Sequence, residues 1–130
     1  MILVDSSVWI DFFNGTVCTE TDKLNEILGL EEVVIGDLIL AEVLQGFRSD
    51  TDYKTAKNVL TALSVHDLLG KDMAIKSANN FRKLRKKGIT IRKTADVIIA
   101  TYCIANKIPL LFTDKDFIPF VDYLRLKSAC

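Results

Sequence analysis

At 130 residues, with 49% apolar and 26% charged side chains and seventeen residues of each charge sign, the chain has the size and balance of one globular domain over residues 1–130. No apolar run approaches the roughly 20 residues that cross a bilayer, and the short N-terminal run lacks the basic residues of a signal peptide. Cys18, Cys103 and Cys130 lie far apart with no CxxC pair, which argues against a disulfide framework or a zinc site and for reduced thiols in a cytoplasm.

Met1 to Val4 has no polar interruption and reads as a short strand buried on both faces, ending on Asp5. After Ser6 and Ser7, Val8, Trp9, Ile10, Phe12 and Phe13 follow a helical pattern that stops at Asn14-Gly15. A second helix is predicted over 20–29, then a β-branched strand Val33-Val34-Ile35 closed by Gly36. Asp37 is expected to cap the next helix, whose apolar residues are Ile39, Leu40, Val43, Leu44 and Phe47. A helix over 51–63 and a brief strand from Ser64 to Asp67 follow. Asp72 to Lys87 reads as a long amphipathic helix with Ala74, Ile75, Ala78, Phe81 and Leu84 inward, stopped by Gly88. Thr94 is expected to cap a helix to about Asn106 that is apolar nearly all round, hence central and buried. Pro109 to Phe112 reads as a fourth strand leading to Thr113-Asp114, and the alternation from Tyr123 to Lys127 predicts an edge strand. Strands alternating with helices imply an α/β fold with a mainly parallel sheet of four to five strands covered on both sides.

The balanced charge conceals a segregation. Residues 1–52 hold eleven acids against Lys23 and Arg48, whereas residues 82–93 hold seven bases and no acid. Asp5 and Asp114 each follow a strand, so a parallel sheet brings both to one edge; Asp96 lies in the first turn of the most buried helix, and Glu42 lies beside an apolar helix face. Taken singly, each has a local explanation as a cap, a partner for the helix dipole or a solvated flank. Taken together, uncompensated carboxylates in a cleft repel one another unless some protonate or bind cations, and hard divalent ions take all-oxygen ligands. No His/Cys set competes for a softer metal, and His66, the one histidine, reads as structural.

Four blocks in order, Met1-Ile-Leu-Val-Asp5-Ser-Ser-Val-Trp9-Ile, Leu40-Ala-Glu42-Val-Leu-Gln-Gly46, Thr94-Ala-Asp96-Val-Ile-Ile-Ala100 and Leu110-Leu-Phe-Thr113-Asp114-Lys-Asp116-Phe117, carry a resemblance to PIN-domain ribonucleases of the VapC toxin type. The resemblance covers essentially the whole chain and implies a PIN-like three-layer α/β/α fold. It implies that Asp5, Glu42, Asp96 and Asp114 are the catalytic quartet and the ligands of Mg²⁺ or Mn²⁺, Asp5 and Asp96 foremost. The family's small hydroxyl maps to Ser6 or Ser7, Thr113 matches a recurrent position, and Asp116 reads as outer-sphere or structural. It further implies an RNA substrate, a cognate antitoxin whose tail reaches the acidic site, and a homodimer, with no membrane role.

The reaction such residues suit is metal-assisted phosphodiester hydrolysis, with Glu42 or Asp114 orienting the water. Within the basic run, Arg92 and Lys93 lead directly into Asp96 and are the foremost RNA-contact candidates, with Arg85 and Lys86 next; a solvated helix end is the competing reading. Trp9, Phe12 and Phe13 read first as core, and exposure of Trp9 or Phe13 would suit a partner surface. Two related readings compete, a housekeeping PIN nuclease in RNA processing and an inactive PIN scaffold. One of another class is a receiver-like Mg²⁺-binding signalling domain, although that calls for adjacent acids after the first strand, where Ser6-Ser7 stand.

Overall fold

A computed structural model describes residues 1–130. Four parallel strands, β1 (Ile2–Val4), β2 (Val33–Gly36), β3 (Ser64–His66) and β4 (Leu110–Leu111), form one sheet in the order β3-β2-β1-β4. Between β1 and β2 run α1 (Ser6–Phe13) and α2 (Thr19–Ile27); between β2 and β3 run α3 (Asp37–Gln45) and α4 (Asp50–Thr61). The β3-to-β4 connection holds α5 (Lys71–Lys86) and α6 (Thr94–Asn106), and a short 3₁₀ turn (Lys115–Phe117) leads into α7 (Ile118–Leu124). Right-handed crossovers stepping from β1 to β2 to β3 place α1 to α4 on one face. The chain then reverses direction to reach β4, which places α5 and α6 on the other face. That reversal makes the gap between β1 and β4 a topological switch point, the place where open α/β sheets bind ligands.

The apolar runs behave as their patterns require. Every residue of β1, β2 and β4 is buried, and Leu3, Val34, Ile35, Leu110 and Leu111 join Trp9, Ile39, Ile99, Phe117 and Phe120 in the core. All of the eight α6 positions from Asp96 to Cys103 but Tyr102 are buried, as a helix apolar all round demands. At Gly36 a Cβ would collide with the buried Leu68 side chain, so the residue that ends β2 can only be glycine without repacking. α5 ends in a Schellman motif, with Ile89 N donating to Leu84 O and Gly88 N to Arg85 O, and Gly88 supplies the positive φ of 83°.

Several expectations are corrected. Tyr123 to Lys127 does not form an edge strand: Phe120, Val121 and Leu124 follow a helical period after Pro119, and α7 runs to Leu124 before Arg125 turns left-handed. Sheet-like pairing occurs just beyond, where Leu110 N donates to Lys127 O and Ala129 N to Leu110 O, giving one parallel bridge between Leu110 and Ser128. Asp37 and Thr94 are first helical residues, the cap positions being Gly36 and Lys93. Asp37 Oδ1 instead accepts from Leu38 N at 2.8 Å and Leu68 N at 3.1 Å, tying α3 to the loop after β3. The inward stripe of α5 is only partly covered, with Leu84 buried but Ala74, Ala78 and Ile75 exposed. The helix packs chiefly against α6, and the two flank an open cleft of about 500 Å³ lined by Leu69, Phe81, Val97 and Ile98. No helix is long and apolar enough to cross a membrane.

Candidate metal centre

The strand β1 delivers Asp5 to the switch point, and the Asp5 N–H donates to Leu111 O at 2.9 Å, extending the β1–β4 ladder by one bond. Asp5 is also the N-cap of α1, and its Oδ2 accepts from Ser7 N at 3.0 Å and from Ser7 Oγ at 2.6 Å. The Ser7 hydroxyl in turn accepts from Thr113 N at 3.2 Å, so it clamps the ends of β1 and β4 together. Oδ1 of Asp5 stays buried with no hydrogen-bond partner. Capping thus occupies one oxygen of the carboxylate and leaves the other without a partner.

Asp114 follows β4 and caps the 3₁₀ turn through Oδ1, which accepts from Asp116 N at 3.0 Å. Its Oδ2 lies 3.8 Å from Lys93 Nζ, and Asp116 Oδ2 lies 3.4 Å from Arg92 Nη2. Asp96 rises from the first turn of α6, 4% exposed, with Oδ2 buried and unpartnered. Asp96, Asp114 and Asp116 present carboxylate oxygens within 4.8 Å of one another. Glu42, in the second turn of α3, is half-buried, and its Oε1 is a further buried oxygen without a partner.

Asp5, Glu42 and Asp96 do not ionise easily. Burial raises the Asp5 pKa from its ordinary value, against the pull of its Ser7 bonds and with the repulsion of Asp114 adding to it. Burial also raises Glu42, then repulsion from Asp5, while the Ser6 hydroxyl and Lys93 act in the opposite sense. Asp96 is pushed up to about 7, by burial first and then by Asp5, Asp114 and Glu42, with Lys93 opposing. Three buried, unpartnered oxygens on mutually repelling acids fit a hard divalent cation, which takes oxygen ligands and cancels the repulsion. The unpartnered oxygens belong to Asp5, Glu42 and Asp96, and the tightest trio is Asp96, Asp114 and Asp116; the two sets meet at Asp96.

The fold therefore brings Asp5, Glu42, Asp96 and Asp114 to one place, and adds Asp116 closer to them than its spacing implied. The hydroxyl of Ser7, not that of Ser6, bonds the first acid, and Thr113 contributes its backbone N–H. The basic run divides. Arg92 and Lys93 face the acids, whereas Arg85 lies over the Phe81 ring at 5.5 Å and Lys86 is simply exposed at the end of α5. Trp9 is fully buried, stacked near Phe13, so it is core and not partner surface. Ile10 and the half-buried Phe13 instead line a groove with Val43 and Phe47, a feature the helical period did not single out. His66 Nδ1 lies 2.9 Å from the Tyr102 hydroxyl, a tie between β3 and α6.

A strand order that flanks β1 with β2 and β4 departs from the receiver arrangement, where β1 lies between β2 and β3. The chain belongs to the PIN domain family, whose sequence profile matches residues 2–120. It is 28% identical to Ribonuclease VapC11 of Mycobacterium tuberculosis over 134 residues, covering 99% of this chain and 98% of that one. The VapC ribonuclease Mb1587 of Mycobacterium bovis matches to the same extent, 28% over 134 residues. Among solved structures, the fold is similar to VapBC2 of Rickettsia felis bound to a promoter DNA fragment, with a TM-score of 0.77 at 19% identity over 98% of this chain and 97% of that one. VapBC-1 of nontypeable Haemophilus influenzae gives a TM-score of 0.75 at 16% identity, over 98% and 96%.

Proposed function

We propose that this chain is the toxin of a VapC-type toxin–antitoxin pair, a Mg²⁺- or Mn²⁺-dependent endoribonuclease acting in the cytoplasm. The observation that carries this reading is the convergence of Asp5, Glu42 and Asp96, each with a buried unpartnered oxygen, on the switch point of a PIN fold. The 28% identity to VapC ribonucleases over nearly the full length of both chains supports RNA as substrate. The unpaired thiols of Cys18, Cys103 and Cys130 accord with a reducing compartment.

In this reading Asp5 and Asp96 hold the ion, Glu42 and Asp114 complete its surroundings, and Asp116 borders them as an outer-sphere acid whose charge the ion also offsets. When bound, a divalent cation lowers the pKa of water and offsets charge on the phosphoryl oxygens. Ser7 holds Asp5 by occupying Oδ2, so that Oδ1 remains free. Glu42 or Asp114 accepts the hydrogen bond of the attacking water and takes its proton. Arg92 and Lys93 contact the RNA backbone, with Arg85 and Lys86 more peripheral.

Antitoxin complexes among the solved neighbours support a protein partner, and the groove of Ile10, Phe13, Val43 and Phe47 is the apolar surface we assign to it. The half-open cleft between α5 and α6 is the face we assign to a second copy in a homodimer.

The decisive experiment incubates purified protein with total RNA in Mg²⁺, in EDTA, and as Asp5→Asn and Asp96→Asn. Cleavage is expected in Mg²⁺ alone, and only from the native chain. Undiminished cleavage by both variants sinks the assignment.

A further inference from the structure

Arg92 and Lys93 sit side by side ahead of α6, opposite Asp116 and Asp114 on the 3₁₀ turn, and each cation reaches one acid. The pairs are loose, at 3.4 and 3.8 Å, and asymmetric. The Arg92 and Lys93 side chains are 78% and 59% exposed, whereas those of Asp116 and Asp114 are 24% and 26% exposed. Such pairs hold a cation weakly, because solvent screens them and long side chains lose rotamer freedom in keeping one geometry. The acids are not free to leave: Asp114 Oδ1 is committed to capping the 3₁₀ turn. Asp114 and Asp116 each present a carboxylate oxygen to the cluster that groups with Asp96 inside 4.8 Å.

A divalent ion and these two side chains therefore compete for the same negative charge. We propose that Arg92 and Lys93 are exchangeable counter-ions of the acidic cluster. They neutralise Asp116 and Asp114 in the ion-free protein, and they turn to RNA phosphates when a divalent cation takes over that charge. The proposal rests on the metal-dependent ribonuclease reading above. Lys93 also moderates the charge at Glu42 and Asp96, so its departure matters to the whole cluster until the ion replaces it.

Two consequences follow from charge conservation. Divalent-ion binding and RNA binding are positively coupled, and by linkage each favours the other to the same degree. The number of cations available to RNA rises by two when the ion binds. For a single strand this steepens the dependence of log K on log salt by about 1.4, at roughly 0.7 per phosphate contact. The protein thereby avoids tight RNA binding in the state that cannot cleave.

The test measures binding of a short fluorescent RNA by anisotropy across a salt series, in EDTA and in Ca²⁺, for the native chain and for R92Q/K93Q in identical buffers. Mn²⁺ binding without RNA is followed by calorimetry for both proteins. The native chain is expected to show a slope about 1 to 1.5 steeper in Ca²⁺ than the double variant does, and a slope equal to it in EDTA. The variant is expected to bind Mn²⁺ as tightly as the native chain or a few-fold tighter, since competing cations are gone. R92K/K93R should restore the native slopes.

Equal slopes for native and variant chains in Ca²⁺, with Mn²⁺ bound normally, overturn the exchange while leaving the metal site standing. A tenfold loss of Mn²⁺ affinity in R92Q/K93Q overturns it differently, by making the two cations structural supports of the cluster. No calorimetric Mn²⁺ binding by the native chain removes the ribonuclease reading and the exchange together.

Discussion

The hydroxyl of Ser7 donates a 2.6 Å hydrogen bond to Oδ2 of Asp5, which leaves Oδ1 of the same carboxylate buried and unpartnered. Because Ser7 Oγ also accepts from Thr113 N, the carboxylate is aimed by the junction of β1 and β4 and not by its own rotamer preference. Ser7→Ala is expected to keep the fold and to weaken divalent-ion affinity by about 10-fold, the lower end of what outer-shell partners contribute. Calorimetry with Mn²⁺ checks this. Native affinity in Ser7→Ala would show that the N–H of Ser7 suffices to aim Asp5.

The acids of the centre oppose folding when no ion is present. Asp96→Asn removes a carboxylate that burial and three neighbouring acids push up to about 7. At pH 8 without metal, Asp96→Asn is expected to melt higher than the native chain by roughly 3–6 °C, a stabilisation of about 1 kcal/mol at this size. Saturating Mg²⁺ should raise the native melting temperature and leave the variant unmoved. Calorimetric melting with and without EDTA reads both effects. An ion-free variant that melts lower than the native chain would mean that Asp96 is a structural acid.

The pH dependence has a definite sign. A carboxylate whose folded pKa lies near 7 and whose unfolded pKa is about 3.9 binds more protons folded than unfolded between those values. Stability of the ion-free chain therefore falls as pH rises from about 4 to 7, and is fully lowered above 7. Ion binding needs the ionised carboxylates, so affinity is expected to rise through the same window as Asp96 loses its proton, and Glu42 and Asp5 are raised in the same direction. Mn²⁺ titrations at pH 5.5, 6.5 and 8 test it. Affinity independent of pH across that range would refute the electrostatic reading of the cluster.

Gly36 is a packing constraint, because its φ of −84° suits any residue and only the contact with Leu68 forbids a side chain. Leu68 is fully buried. Gly36→Ala is expected to lower stability by about 1–3 kcal/mol, the range for overpacking a core. The urea midpoint measures it. Paired with Leu68→Ala, the same change should cost far less, since the clash is then removed.

The chemistry of this protein was largely legible in the linear chain. Uninterrupted apolar runs ending on Asp5 and ahead of Asp114 specify buried parallel strands that deliver carboxylates to one edge. The all-round apolar helix after Arg92-Lys93 marks Asp96 as buried. Local period and composition are short-range properties, and they suffice for elements of this kind. They misjudged Tyr123 to Lys127, where a brief alternation imitates a strand, because burial of Phe120 and Leu126 against the finished core selects the helix instead. Only the tertiary structure decided which oxygen of Asp5 is free, that Asp116 stands beside Asp96, and that Arg92 and Lys93 lie opposite Asp116 and Asp114. Each of these is a distance between segments far apart in sequence, set by strand order and crossover hand, to which no local pattern is sensitive. Asp5 is both helix cap and candidate ligand because β4 lies beside β1, and that adjacency belongs to the fold.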